Sequence, residues 1–467
     1  MAMPATRIFH KGFTMFLLSA VIIVIVAPLL QQGVFMDGML YKTVAHNYAK
    51  FHNAFWNMKF TDVSMNPFQE QPPLFFYLTG NWYRVFGESL PSDRVFTLVC
   101  LTLAVYFLHR ICLRMFSTDM TAATCFMLLC IPVIHWTFVN QVIETVVTPL
   151  TLGCFVLVMT PAESSLKAAV KGIALGCLLI LLFLTKGFQS CFIIVAPFFF
   201  YFIKNEKAAL TTGIVASVIL IAGLWILIFK YDPSSEWFKG YLNKRLRASL
   251  EGVGATTTYR AEILIRIITE MILPVLITAG TILFYKKKDT GNINETKNAW
   301  IFLLTGLCGT VPFAITFEQR GFYLVPGLPF LVLAIIAFAA EPVIRLQEET
   351  KKFFSRKGPA IVVTLLLAIS LLYMIYSPHL YKREEDLITD LEKMKPYLKA
   401  DDTLSIDEEM WNYTSVHAFL YMQNQVNLSD RTLHKFYLHD REHQTEPKAG
   451  YKIIVLPTRK FQLFIRE

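Results

Sequence analysis

The chain has 467 residues, of which 54% are hydrophobic and 17% charged, and a formal net charge of +9; its mean hydropathy is +0.47. So much apolar side chain exceeds what a soluble globule of this size buries, which points to a polytopic membrane protein. The basic excess falls in short clusters between apolar stretches and reads as membrane topology, with no nucleic-acid partner, while the eight cysteines lie in or beside apolar segments with neither a disulfide framework nor zinc spacing.

Phe13 to Leu30 follows Arg7 and Lys11. It is too long for a signal-peptide core and reads as a retained helix. Further stretches that could cross a hydrocarbon layer lie near 94–115, 119–138, 141–160, 168–185, 188–203, 208–229, 262–285, 299–317, 322–340 and 359–377, which predicts about eleven spans. A cytoplasmic N-terminus puts Arg110 and Arg114, Lys167 and Lys171, Lys204 and Lys207, Lys286 to Lys288, and Arg345 to Lys357 on the inner side. The loop 34–92, the segment 230–260 and the tail then share the outer face.

The outer loop reads as two amphipathic helices, over 40–55 and 74–86, the second opened by Pro72-Pro73. From about 378 the chain turns polar. A helix over 383–398, a strand over 403–407, a helix over 408–422 and strands over 452–456 and 462–465 predict a small extracytoplasmic α/β domain, 378–467, following a transmembrane domain, 1–377. The expected class is an all-α polytopic membrane protein with this small C-terminal domain.

Two lone acids in the outer loop, Asp37 and Glu70, and a third in an apolar segment, Glu144, cost free energy at or in a membrane unless they face a wet interior. Asp37 reads as a general base, or as the cap of a helix starting at Met39. Glu70 reads as a residue that orients an acceptor, binds a cation or holds the Pro-Pro turn. Glu144 is either a second acid of the site or the buried partner of Lys186 or Arg94. Lys186 and Arg320 stand at outer turns, where each could meet a phosphate, snorkelling being the plainer account of Lys186; Arg260, with Lys244, Arg245 and Arg247, adds cations on the side where they are normally scarce.

The motifs as a set resemble the GT-C membrane glycosyltransferases of the protein O-mannosyltransferase and lipid A aminoarabinose transferase superfamily. They are Asp37-Gly38-x-x-Tyr41, Phe68-x-Glu70-Gln71-Pro72-Pro73-Leu74 with Phe86-Gly87 and Arg94, Asn140-x-x-x-Glu144, Lys186-Gly187, and Tyr323-Leu324-Val325-Pro326-x-x-Pro329. The resemblance implies a GT-C fold and transfer of a sugar from a polyprenyl-phosphate donor to a lipid, glycan or protein acceptor at the extracytoplasmic face, with inversion. It makes Asp37, Glu70 and Glu144 the catalytic candidates, and Tyr41, Lys186, Arg260, Arg320 and Tyr323 the substrate and phosphate contacts. Gln71 replaces the Lys or His of relatives and Tyr259-Arg260 a metal-binding His, so no cofactor is required and a divalent cation stays open. A bacterial inner membrane with membrane lipids as neighbours fits this reading; a lipid-linked sugar transporter and a non-catalytic envelope assembly protein are the alternatives.

Overall fold

The computed structural model describes residues 11–252, 256–285, 293–442 and 449–467. The expected inner cluster Lys286 to Lys288 and the side chain of Arg245 lie outside what is described. Among the described residues, seven helices are long and apolar enough to cross a membrane: α1 (Lys11–Leu30), α4 (Pro91–Met115), α8 (Ser165–Lys186), α10 (Lys207–Phe229), α12 (Glu262–Tyr285), α13 (Asn294–Ile315) and α16 (Lys357–His379). Two further spans are bent, α5 (Thr121–Leu129) with α6 (Pro132–Asn140) by 81°, and α14 (Leu328–Phe338) with α15 (Ala340–Phe354) by 90°. Two apolar helices are shorter, α7 (Glu144–Met159) and α9 (Phe188–Lys204). The apolar stretches expected from the sequence are recovered as helices, but among the described residues seven to nine of them, not eleven, are long and apolar enough to span, because α7 and α9 are short and α5 with α6 and α14 with α15 are broken.

The chain divides into two compact units. The first comprises the chain up to Leu29, Thr97–Val139 and Ile143–Tyr376. Its centre is α14, where Leu328 to Leu333 are all buried. A helix apolar on every side belongs in such a core. At its periphery α16 leaves Ile361, Val362, Leu365, Ile369, Leu372 and Ile375 exposed. A stripe of that kind is stable only against lipid, which makes the chain an integral membrane protein.

The second unit comprises Leu30–Phe96, Asn140–Val142 and Ser377–Glu467. It holds α2 (Met36–Phe51), α3 (Leu74–Phe86), α17 (Glu385–Met394) and α18 (Thr414–Asn424). A mixed sheet accompanies them, in the order β2 (Asn427–Ser429), β1 (Thr403–Ser405), β3 (Phe436–Asp440), β5 (Phe461–Arg466), β4 (Tyr451–Ile454). β1 pairs in parallel with β2 and β3, whereas β5 runs antiparallel to β3 and β4. Leu387, Leu391, Leu404, Leu428, Leu438 and Leu463 fill the core between helices and sheet. The buried Asp390 carboxylate ties α17 to β5 by accepting from the backbone N–H groups of Arg459, Lys460 and Phe461, which satisfies a charge that burial would otherwise make costly.

α3 has the expected limits. α2 departs from expectation at both ends, running from Met36 to Phe51 and not from 40 to 55, and it is buried on nearly all sides, including Leu40, Tyr41, Val44, Ala45 and Tyr48. An interfacial helix would keep a polar face in water. Here α3 and α18 both pack on it, and the chain after α2 is fastened to the tail. Asn47 donates to the Phe60 carbonyl (2.6 Å), and Asp62 accepts from Lys59 (2.5 Å) and from Asn427 (3.3 Å).

Candidate functional site

The two ends of two helices set the centre of the first unit's site. α8 stops at Lys186 because Gly187 follows at φ +78°, a left-handed conformation that ends a helix at little cost only for glycine. α7 begins at Glu144. A carboxylate at a helix N-terminus and an ammonium at a C-terminus are each favoured by the helix dipole. Lys186 Nζ lies 2.6 Å from Glu144 Oε1, with the side chains 5% and 1% exposed. So deep a pair is held by two dipoles as well as by mutual attraction, which is the burial account of Glu144 foreseen from the sequence.

Tyr323 completes the cluster. Its ring lies 4.5 Å from Lys186 Nζ, and its hydroxyl donates to Glu318 (3.3 Å). Phe322 is 5.7 Å from the same ammonium and stacks on Trp136 at 5.4 Å. Glu144, Lys186 and Tyr323 line one cavity with Gln189, Ser190 and Phe313, of about 10 Å³. That is roughly one water's room, so a sugar or phosphate enters only if side chains move.

Arg260 and Arg320 are not among the residues lining this cavity. Arg260 is exposed and stacks its guanidinium on Phe317 at 4.4 Å; Arg320 is half-buried, at the entry of the turn that carries Tyr323. Gln319 binds the two loops together. Its side-chain oxygen accepts from the Ile263 N–H (2.8 Å), and its amide donates to the carbonyls of Arg260 (2.7 Å) and Thr316 (2.8 Å). Sequence reasoning missed Gln319, since a neutral amide among loop residues carries no charge signal. It also missed Glu270, 8% exposed within α12, which accepts from the Val133 N–H at the start of α6 (3.1 Å) and lies 3.5 Å from Arg266. An acid inside a span was the available signal.

The second unit holds Asp37, Tyr41 and Glu70. Asp37 is half-buried in the first turn of α2. Because the helix starts at Met36, Asp37 is not the cap of a helix beginning at Met39; it lies inside the first turn, where the dipole favours its charge. The Phe35 N–H donates to the Asn140 side chain (3.0 Å), and a Cβ on Gly38 would collide with the Asn140 carbonyl oxygen. The Asp-Gly pair is thus an acid followed by the one residue that lets the helix start press on that backbone. Tyr41 is buried edge-on against Phe75 and Phe76 of α3, at 6.0 and 5.7 Å. Glu70 is half-buried ahead of the buried Gln71 and Pro72. His46 is taken up by Glu88. Among the described residues no three His, Cys, Asp or Glu side chains come together as metal ligands.

Residues 70–230 match the model of the dolichyl-phosphate-mannose-protein mannosyltransferase family. The match opens at Glu70 and takes in Pro72-Pro73-Leu74, Glu144 and Lys186. No curated protein sequence matches the chain. Among solved structures, ArnT from Cupriavidus metallidurans bound to undecaprenyl phosphate is similar with a TM-score of 0.66 at 12% identity, over 98% of this chain and 98% of that one. ArnT from the same organism in the apo state gives a TM-score of 0.62 at 11% identity, over 97% and 98%. The chain is therefore a polytopic membrane protein with the GT-C fold and a C-terminal α/β domain, similar in fold to ArnT over nearly its whole length and in sequence, over residues 70–230, to the protein mannosyltransferases.

Proposed function

We propose that the protein is an integral-membrane glycosyltransferase that moves a sugar from a polyprenyl-phosphate donor to a hydroxyl of a lipid, glycan or protein acceptor. The observation that carries this reading is the mannosyltransferase family match over residues 70–230 on a chain with the fold of ArnT, a protein captured with undecaprenyl phosphate. In the reaction the acceptor oxygen attacks the anomeric carbon, the bond from that carbon to the phosphate oxygen breaks, and the polyprenyl phosphate leaves with the electron pair. Attack opposite the leaving group inverts the anomeric centre.

Asp37 takes the acceptor proton as the hydroxyl attacks. Glu70 and Glu144 shape the sugar site and Tyr41 and Tyr323 flank substrate, while Lys186, Arg320 and Arg260 neutralise the charge that grows on the departing phosphate. The chemistry needs no resident metal, and a divalent cation is at most an aid to the phosphate. The excess of Lys and Arg in alternate loops supports a cytoplasmic N-terminus with the site and tail outside, and a bacterial inner membrane fits this reading.

The test is turnover of a polyprenyl-phosphate sugar by the purified protein in proteoliposomes, with EDTA present, and the product's anomeric configuration read by NMR. Asp37→Asn, normally expressed, is expected to abolish transfer. Near-normal turnover in that variant removes Asp37 from the mechanism. Movement of the intact donor across the bilayer without cleavage replaces the transferase reading with a transporter.

A further inference from the structure

Three cations meet where three apolar helices end. α1 stops at Leu30, α4 starts at Pro91 and α16 stops at His379, and Arg94, Lys382 and Arg383 follow those ends within about a turn. The strip after α1 pairs with the strip after α16: the Gln32 N–H donates to the Leu380 carbonyl (2.9 Å), and the Lys382 N–H to the Gln32 carbonyl (3.0 Å). Gly33, at φ +76°, sits so close to the Arg383 carbonyl that any Cβ would collide with it. Arg94 is 8% exposed and donates to the Gln31 carbonyl (3.2 Å). The Arg383 guanidinium lies 5.1 Å over the Phe35 ring.

Bringing like charges together costs free energy, and the cost appears at Lys382. Burial first, then the charges of Arg94 and Arg383, push its ammonium from 10.5 down to about 7. The Asp93 carboxylate acts on Arg94 but is shared with other groups. Asp93 holds Lys42 and Tyr83, and Glu384 accepts from the Tyr413 hydroxyl (3.4 Å).

We propose that Arg94, Lys382 and Arg383 form an anion site that takes the phosphate group of a lipid at the membrane surface. A phosphate monoester carries close to two negative charges near neutral pH. Planar guanidinium forks match its oxygens and the lysine adds a point charge. The ends of spans lie at headgroup depth, where anionic lipid is concentrated. The inference concerns lipid recognition and stands whether or not the protein transfers a sugar.

The experiment is thermal unfolding of the delipidated full-length protein in detergent, followed by tryptophan fluorescence, with dioleoyl phosphatidic acid, dioleoyl phosphatidylcholine or inorganic phosphate added. Phosphatidic acid is expected to raise Tm, and phosphatidylcholine, whose phosphate is matched by its own cation, to do so much less. Lys382→Met and Arg383→Gln should each weaken the affinity read from that rise by about tenfold or more, as loss of a charged hydrogen bond does. Lys382→Met should also leave the lipid-free Tm unchanged or higher, since it relieves repulsion; loss of a structural ion pair would lower it. A rise with inorganic phosphate as well supports the site with the free anion as ligand, and a rise with phosphatidic acid alone supports it with the lipid as ligand. An equal rise with phosphatidylcholine, no rise in the parent protein, or a full rise in both variants overturns the proposal. If one variant fails to fold, the other decides.

Discussion

The Glu144–Lys186 pair can be tested for what it does beyond holding the helices together. With both side chains at most 5% exposed and the charged atoms 2.6 Å apart, removing one partner leaves a buried charge without its counter-ion. Glu144→Gln or Lys186→Met alone should therefore cost roughly 3–5 kcal/mol, while the double variant, which removes both charges, should recover most of it. Scanning fluorimetry in detergent reads the stability side of this cycle as a Tm that falls in each single variant and returns in the double. Turnover in proteoliposomes reads the other side. If Lys186 meets the leaving phosphate in the transition state, its absence costs about 10²- to 10³-fold in kcat, and restored packing does not bring that back. A double variant with parental Tm but crippled turnover is the expected result. Turnover within a few-fold of the parent in the double variant would refute a catalytic part for the pair and leave it a structural clamp. Unchanged Tm in both single variants would refute the buried ion pair itself.

Gly38→Ala sets a methyl about 1 Å inside ordinary contact with the Asn140 carbonyl oxygen, so the start of α2 must shift; a displacement of that size is expected to lower turnover about 100-fold if Asp37 is the base, and a variant that loses Tm but keeps kcat argues that its placement does not matter. Asn47→Ala removes the donor to the Phe60 carbonyl and should cost about 1–3 kcal/mol in thermal unfolding; equal Tm values would show that this tie carries no load. Burial pushes His417 down from 6.5 to about 4, against the opposing pull of the Trp411 carbonyl and Asp430. The unfolded chain then takes up a proton near pH 6.5 that the folded chain refuses until about pH 4. Stability is whole above pH 6.5 and falls as pH drops through that window, by roughly 3 kcal/mol. His417→Gln should flatten the Tm-against-pH curve between pH 6.5 and 4, and an unaltered curve would contradict this origin.

The apolar segments were legible because length and hydropathy alone decide them, and the limits of α3 because Pro72-Pro73 starts it and Gly87 ends it. β2 and β3 were not. β2 has three residues, too few for any period to show, and β3 is buried along its whole length, Phe436 to Asp440, so it lacks the alternation that marks a half-buried strand. The early start of α2 was hidden because its first turn is fixed by Asn140, far along the chain. Glu144 and Lys186 were each visible as charges in apolar surroundings. Their pairing depends on how α7 and α8 end and pack, which no local pattern encodes. Gln319 was invisible for a plainer reason, since its role lies wholly in backbone groups that it bridges.

Reach and rigidity are in tension in any catalytic acid or base, because a side chain must extend toward substrate while its backbone stays still. For Asp37 the two demands fall on different residues. The side chain stands half-buried in the first turn of α2, and the positions after it, Gly38 to Tyr41, are buried against their surroundings. α3 covers one side of that helix and α18 another, and the tail is tied to the following loop through Asn427 and Asp62. No residue of α18 is assigned a chemical step, yet without α18 the apolar residues of α2 would lose part of their cover. The carrier of the proposed base is thus braced by a part of the chain that reads, from its own sequence, as an appendage. On the proposed mechanism the tail would act through the fixity of Asp37, by way of the apolar residues of α2 that α18 covers.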